Sequence, residues 1–118
     1  MKFMLLCYDD EGAWARAGQP AMDQAIKEAI GLAHDMASKG QYLMAAPLQP
    51  ADTAKNVRVR DGKQVVVDGP FTETHEVLGG FYLIDVSSRE EAIEIASRHP
   101  GARLGTVEIR PIQEVTIP

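Results

Sequence analysis

The sequence predicts an α+β domain made of two βαβ halves with a hairpin inserted between them. Three observations carry that expectation. Residues 3–8 and 78–86 are short runs apolar on both faces, as interior strands of a covered sheet are. Each run is followed by a stretch of helical periodicity and then by a further strand candidate. Between the halves, Asp61-Gly62 separates two short segments of strand character.

At 118 residues the chain fits the size of one domain, residues 1–118, with one core. Its hydrophobic fraction of 45% and charged fraction of 25% are those of a globular protein and argue against disorder. A net charge of -5 with scattered arginines gives little support for binding a phosphate backbone, so no nucleic-acid partner is expected. The single cysteine, Cys7, has no partner for an intrachain disulfide and lies in an apolar run, where a buried structural thiol is the ordinary reading. The apolar stretch 3–7 is too short for a signal peptide, and no run approaches a membrane span. A reducing cytoplasm and no membrane partner are the expectation.

In order along the chain, residues 3–8 form the first strand, ended by Asp9-Asp10-Glu11 and Gly12. From Met22, the residues Ile26, Ala29, Ile30, Ala33 and Ala37 recur at helical spacing, with Pro20 ahead and Gly40 as a stop. Residues 42–48 form a second strand, which Pro47 and Pro50 push to an edge. Residues 56–60 and 63–67 flank Asp61-Gly62, the pair that suits a type I′ turn because both positions need positive φ. The implied register sets Arg60 opposite Lys63 and Arg58 opposite Val65. In residues 78–86, Phe81 and Leu83 face one way and Tyr82, Ile84 and Val86 the other. Ser87-Ser88-Arg89-Glu90-Glu91 offers two capping boxes for a second helix, which carries Ala92, Ile93 and Ala96 and stops at Pro100-Gly101. Val107 and Ile109 alternate with Glu108 and Arg110, as in an edge strand with one wet face.

This order is that of a ferredoxin-like βαβ-hairpin-βαβ sandwich. Two helices cover one face of such a sheet, yet both interior strands are apolar on both faces. A homodimer stacking sheet on sheet would bury the other face.

The chemistry-bearing residues gather after the hairpin. Asp68-Gly69-Pro70-Phe71 makes a sharp turn in which Gly69 accepts unusual φ and Pro70 fixes its own, so Asp68 and Phe71 are held in set directions. Glu73, His75 and Glu76 then bring a proton carrier close to two carboxylates. Asp68 and His75 are the candidate acid–base pair, and Arg58 is the candidate holder of a substrate carboxylate. Tyr8, Phe71 and Glu73 complete the candidate substrate contacts, and Trp14 is placed like Tyr8 to line either a pocket or the core. The competing reading is that Asp68 caps the turn and the rest is a solvated loop. His34 borders the apolar face of the first helix, and His99 sits at the end of the second, where structural roles are the ordinary ones. His75-Glu76 begins like a zincin motif, but Gly79 stands in the place of the second histidine, so no metal and no cofactor are expected.

The string Val65-Val66-Val67-Asp68-Gly69-Pro70-Phe71-Thr72-Glu73-Thr74, with Leu78-Gly79-Gly80-Phe81-Tyr82-Leu83-Ile84-Asp85, resembles the DGPF branch of the YCII-related family. The likeness extends to Met4-Leu5-Leu6, Ser38-Lys39-Gly40, Leu48-Gln49-Pro50 and Val107-Glu108-Ile109-Arg110-Pro111. It implies a dimeric α+β barrel of ferredoxin-like subunits with a cleft beside the sheet. Members linked to chemistry resemble isomerases or dehalogenating enzymes of aromatic breakdown. The resemblance therefore implies a small-molecule-binding protein, a cofactor-free isomerase or lyase acting on a small cyclic or aromatic organic acid. The alternative it implies is a non-catalytic ligand-binding or regulatory module linked to sigma factors. The wider group is credited with a His and Asp pair. Asp68 matches the region of the aspartate, whereas the histidine would fall near Ala29, with His34 further along the same helix, and His75 stands where DGPF members carry lysine.

Overall fold

The computed structural model describes residues 1–71 and 75–118. The chain runs β1 (Lys2–Asp9), α1 (Glu11–Ala17), α2 (Gln19–Ser38), β2 (Tyr42–Pro47), β3 (Lys55–Arg60), β4 (Lys63–Asp68), β5 (Val77–Asp85), α3 (Arg89–Arg98), α4 (Gly101–Leu104) and β6 (Thr106–Pro111). Four strands form an antiparallel sheet in the order β2-β5-β1-β6, and β3 and β4 pair only with each other. That is the α+β, ferredoxin-like arrangement, with the two doubly apolar strands in the middle.

The core lies between one sheet face and the helices. Phe3, Leu5 and Cys7 of β1 alternate inward beside Tyr82 and Ile84 of β5, and Leu32, Met36, Ala92, Ile95 and Ala96 close over them. Met36 and Ile84 are fully buried, which accounts for why α2 docks on this face. The buried side of α2 carries Ala25, Leu32 and Met36, whereas Ile26, Ile30 and Ala37 of the expected stripe are exposed. His34 is exposed as well, one step outside the packed face it was expected to border.

Local signals explain the helix ends. Ser88 caps α3 by accepting from the Glu91 amide at 3.2 Å, while the Ser87 hydroxyl donates to the Glu91 carboxylate. Two short α-helices, α1 and α4, carry no periodic apolar signal in the sequence. Asp10 caps α1 by accepting from the Ala13 amide at 2.9 Å, so the acidic run that ends β1 also starts a helix. At the other end, α4 follows Pro100 directly.

The hairpin turns at Asp61 (φ 51°) and Gly62 (φ 73°), as a type I′ turn requires, and pairs Arg60 with Lys63 and Arg58 with Val65. Apart from Asn56, every residue of β3 and β4 is exposed, Val57, Val59, Val65, Val66 and Val67 included. This arm gives the chain a radius of gyration of 16.2 Å, where a compact domain of this length has ~13.5 Å. No helix among the described residues is long and apolar enough to cross a membrane.

Candidate functional site

A cavity of about 530 Å³ opens between α2 and the sheet, within the ~300–1,000 Å³ range of small-molecule pockets. One wall is the side of α2 carrying Met22, Ile26, Ala29, Ile30 and Ala33. The opposite wall is the sheet surface around Cys7, Tyr42, Gly80 and Tyr82, and Trp14 of α1, Asp9 and His99 close one end. Ile26 and Ile30 are therefore apolar without being core. Their helical spacing looks the same in the sequence whether they meet a packed neighbour or an empty pocket.

Asp9 is the polar centre of this end. It is the last residue of β1, and a bulge between Cys7 and Tyr8 brings it opposite Val77. Two glycines make its niche. A Cβ at Gly79 would sit 1.8 Å from Asp9 Oδ2, and one at Gly101 would sit 3.6 Å from Asp9 Oδ1. No side chain among the described residues hydrogen-bonds or ion-pairs with the Asp9 carboxylate. Burial, followed by the charge of Glu11, pushes its carboxyl above the usual aspartate range.

His99 reaches the same point from the end of α3. The Gly101 amide donates to His99 Nδ1 at 3.0 Å, and a Cβ at Gly101 would lie 2.9 Å from that nitrogen. With Nδ1 accepting, the ring proton of the neutral form belongs on Nε2. Burial, and then the charge of Arg103, hold its pKa below the usual histidine value. The ring stands edge-on to Tyr82 at 5.3 Å between centroids. Burial pushes the Tyr82 hydroxyl and the Cys7 thiol each up to about 12, so both stay protonated at neutral pH. Cys7 is thus the buried thiol that its apolar run suggests.

Trp14 lines this cavity, whereas Asp68, His75, Arg58, Phe71 and Tyr8 lie elsewhere. Asp68 is exposed and pairs with Lys55 across the base of the hairpin. Gly69 has φ 88°, its amide donates to Ala54 O at 2.9 Å, and the Asn56 side chain donates to its carbonyl. Asp68-Gly69-Pro70-Phe71 thereby closes the root of the arm. Phe71 is 69% exposed and lies under the Arg58 guanidinium, 5.0 Å from its centroid. His75 is exposed, and Tyr8 is half-buried on β1. Neither residue, nor Asp68, Arg58 or Phe71, is among the described residues that line the cavity. Glu73 lies outside the described residues.

Asp9 and His99 were legible only in part. Asp9 looked like the polar end of a strand and His99 like the end of a helix. The signal that marks them is the glycines around them, since Gly79 and Gly101 leave room for a carboxylate and an imidazole at one spot.

A family model for the YCII-related domain matches residues 1–116. The chain belongs to the YCII-related family. Among curated relatives, an uncharacterized protein of Rhizobium meliloti (strain 1021) is 32% identical over 114 residues, covering 95% of this chain and 92% of the relative. The YCII-related match spans all six strands and both long helices, so the cavity and the hairpin belong to one family domain.

Proposed function

We propose that this YCII-related protein binds a small cyclic organic molecule in the cavity between α2 and the sheet, and that Asp9 and His99 move a proton on it as a cofactor-free isomerase or lyase. The observation that carries the reading is that a half-buried carboxylate, without a side-chain partner among the described residues, and an imidazole meet around Gly101 in the lining of one apolar pocket. Burial raises the pKa of the carboxyl and lowers that of the imidazole, so the two values move toward each other and the proton affinities of the pair are better matched for passing a proton through a bound molecule. Tyr82 and Tyr42 add hydroxyls able to hold a carbonyl or hydroxyl oxygen of the ligand.

A screen of cyclic metabolites by thermal shift finds the ligand, and turnover of the hits is then followed by NMR. Asp9→Asn and His99→Asn should each abolish proton exchange or turnover, with Asp68→Asn and His75→Gln retaining it. Loss of turnover in the second pair, with the first pair active, would return the site to the hairpin root. Saturable binding without turnover in the wild type would make the same cavity a ligand-sensing site.

The functional unit in this proposal is a homodimer. Met4, Leu6, Phe81 and Leu83 share the sheet face that no helix covers, and the accessible surface is 8163 Å², where a compact monomer of this mass exposes ~6,300 Å². The excess is above the ~800 Å² that a standard interface removes from each partner and falls in the range of obligate homodimers. A second copy laid on the bare sheet face, with the valine-rich arms reaching across, would account for it.

A further inference from the structure

We infer that the cavity selects uncharged ring compounds bearing a carbonyl or hydroxyl oxygen, and excludes organic anions. The inference rests on the cavity being the ligand site and adds the chemical class of what enters. No Lys or Arg is among the described lining residues, and the one carboxylate there, Asp9, has no ion-pair partner among the described residues. His99 Nδ1 accepts from the Gly101 amide, so this nitrogen is turned away from an entering anion, and Arg103 beside it is already engaged by Glu28 through two contacts of 2.8 and 3.2 Å. Arg58, the cation that the sequence offered for a substrate carboxylate, is on the hairpin against Phe71. An entering carboxylate would leave water, meet the Asp9 carboxylate and find no cation. A neutral carbonyl or hydroxyl would instead find donors in the tyrosine hydroxyls and in His99 Nε2–H, and an acceptor in Asp9.

Trp14 is the only tryptophan of the chain and lines this cavity, so its emission reports occupancy directly. The test titrates the full-length protein at pH 7.5 with benzamide and with benzoate, a neutral and an anionic ring of nearly the same shape. Benzamide should bind at least about tenfold tighter, the factor that ~1.4 kcal/mol of like-charge repulsion produces. The ratio should narrow in Asp9→Asn, and in the wild type as the pH is lowered and both carboxyls take up protons. The wild-type pH series keeps the test intact if the variant fails to fold. Benzoate binding as tightly as benzamide at pH 7.5 would overturn the inference and leave the cavity as the ligand site. If neither probe perturbs Trp14 at millimolar concentration, the cavity is no ring-binding site and both readings fall.

Discussion

Replacing Asp9 with asparagine should raise the melting temperature of the protein at neutral pH while removing the proton transfer proposed for this site. The substitution keeps shape and removes only the charge. Asp9 is about half-buried, has no partner among the described residues, and burial raises its pKa. An unsatisfied buried polar group costs ~1–3 kcal/mol, more when charged, and the solvent still reaching Asp9 brings the expected gain to the low end, about 1 kcal/mol. In a domain of this length that corresponds to ~4 °C.

The pH dependence supplies the control. Because the folded-state pKa lies above the reference of 3.8, the folded protein binds more protons between those two values than the unfolded chain does. Stability from this group is complete below 3.8 and is lost as the pH rises through the folded pKa. The advantage of Asp9→Asn should therefore be full at pH 7.5 and shrink toward zero as the pH approaches 3.8. Comparing both proteins at each pH cancels the other carboxylates. Scanning calorimetry or dye-monitored melts from pH 4 to 8 would show it. A variant that melts below the wild type at pH 7.5, or whose advantage does not change with pH, would refute the claim that Asp9 is an unpartnered carboxylate held for chemistry.

Other expectations follow from the same geometry. His99 is held below its reference of 6.5, so the stability it contributes is complete above that value and declines as the pH falls below it. His99→Asn, which can still accept from the Gly101 amide, should flatten the acid side of the wild-type stability profile. Gly79→Ala places a Cβ 1.8 Å from Asp9 Oδ2 and should turn the carboxylate out of its niche, so the Asp9 pKa measured by carbonyl NMR should fall toward its ordinary value. Gly105→Ala meets the Tyr8 carbonyl oxygen at 2.1 Å, and backbone has no room to yield; urea melts should show a loss of at least ~1–3 kcal/mol. Leu6→Lys, on the uncovered sheet face, should convert a dimer to a monomer by light scattering, and an unchanged mass would show that this face is not the interface.

Most of the fold was legible in the sequence because the strands and the two longer helices each carried a local signal. Doubly apolar runs identified the interior strands, prolines identified an edge, and Asp61-Gly62 specified the hairpin down to its register. Helix α1 is not legible because the acidic run after β1 has the character of a strand stop, while Asp10 within it also starts a helix. The candidate site was less legible, for a different reason. Asp68, Gly69, Pro70 and Phe71 form the most distinctive string in the chain, and their fixed backbone directions suggested a pocket. In the structure those fixed directions serve the root of a projecting arm, where Asp68 pairs with Lys55 and Asn56 holds the turn. A string of special residues reports that the backbone is constrained there, not what the constraint is for.

Asp9 and His99 show the converse. Neither belongs to a distinctive string, and they are 90 positions apart, so only the sheet register and the α3–α4 turn bring them together. What the sequence does record is the space made for them. Gly79 stands in a strand where a β-branched residue would pair better, and Gly101 begins a helix it weakens; both losses are repaid only because a side chain there would strike Asp9 or His99. Glycines inside regular elements are therefore the better guide to this cavity than the residues that carry charge. Gly101→Ala should displace the imidazole and lower the affinity of the cavity for the ring probe with little change in overall stability, because the Cβ meets the His99 ring and not backbone.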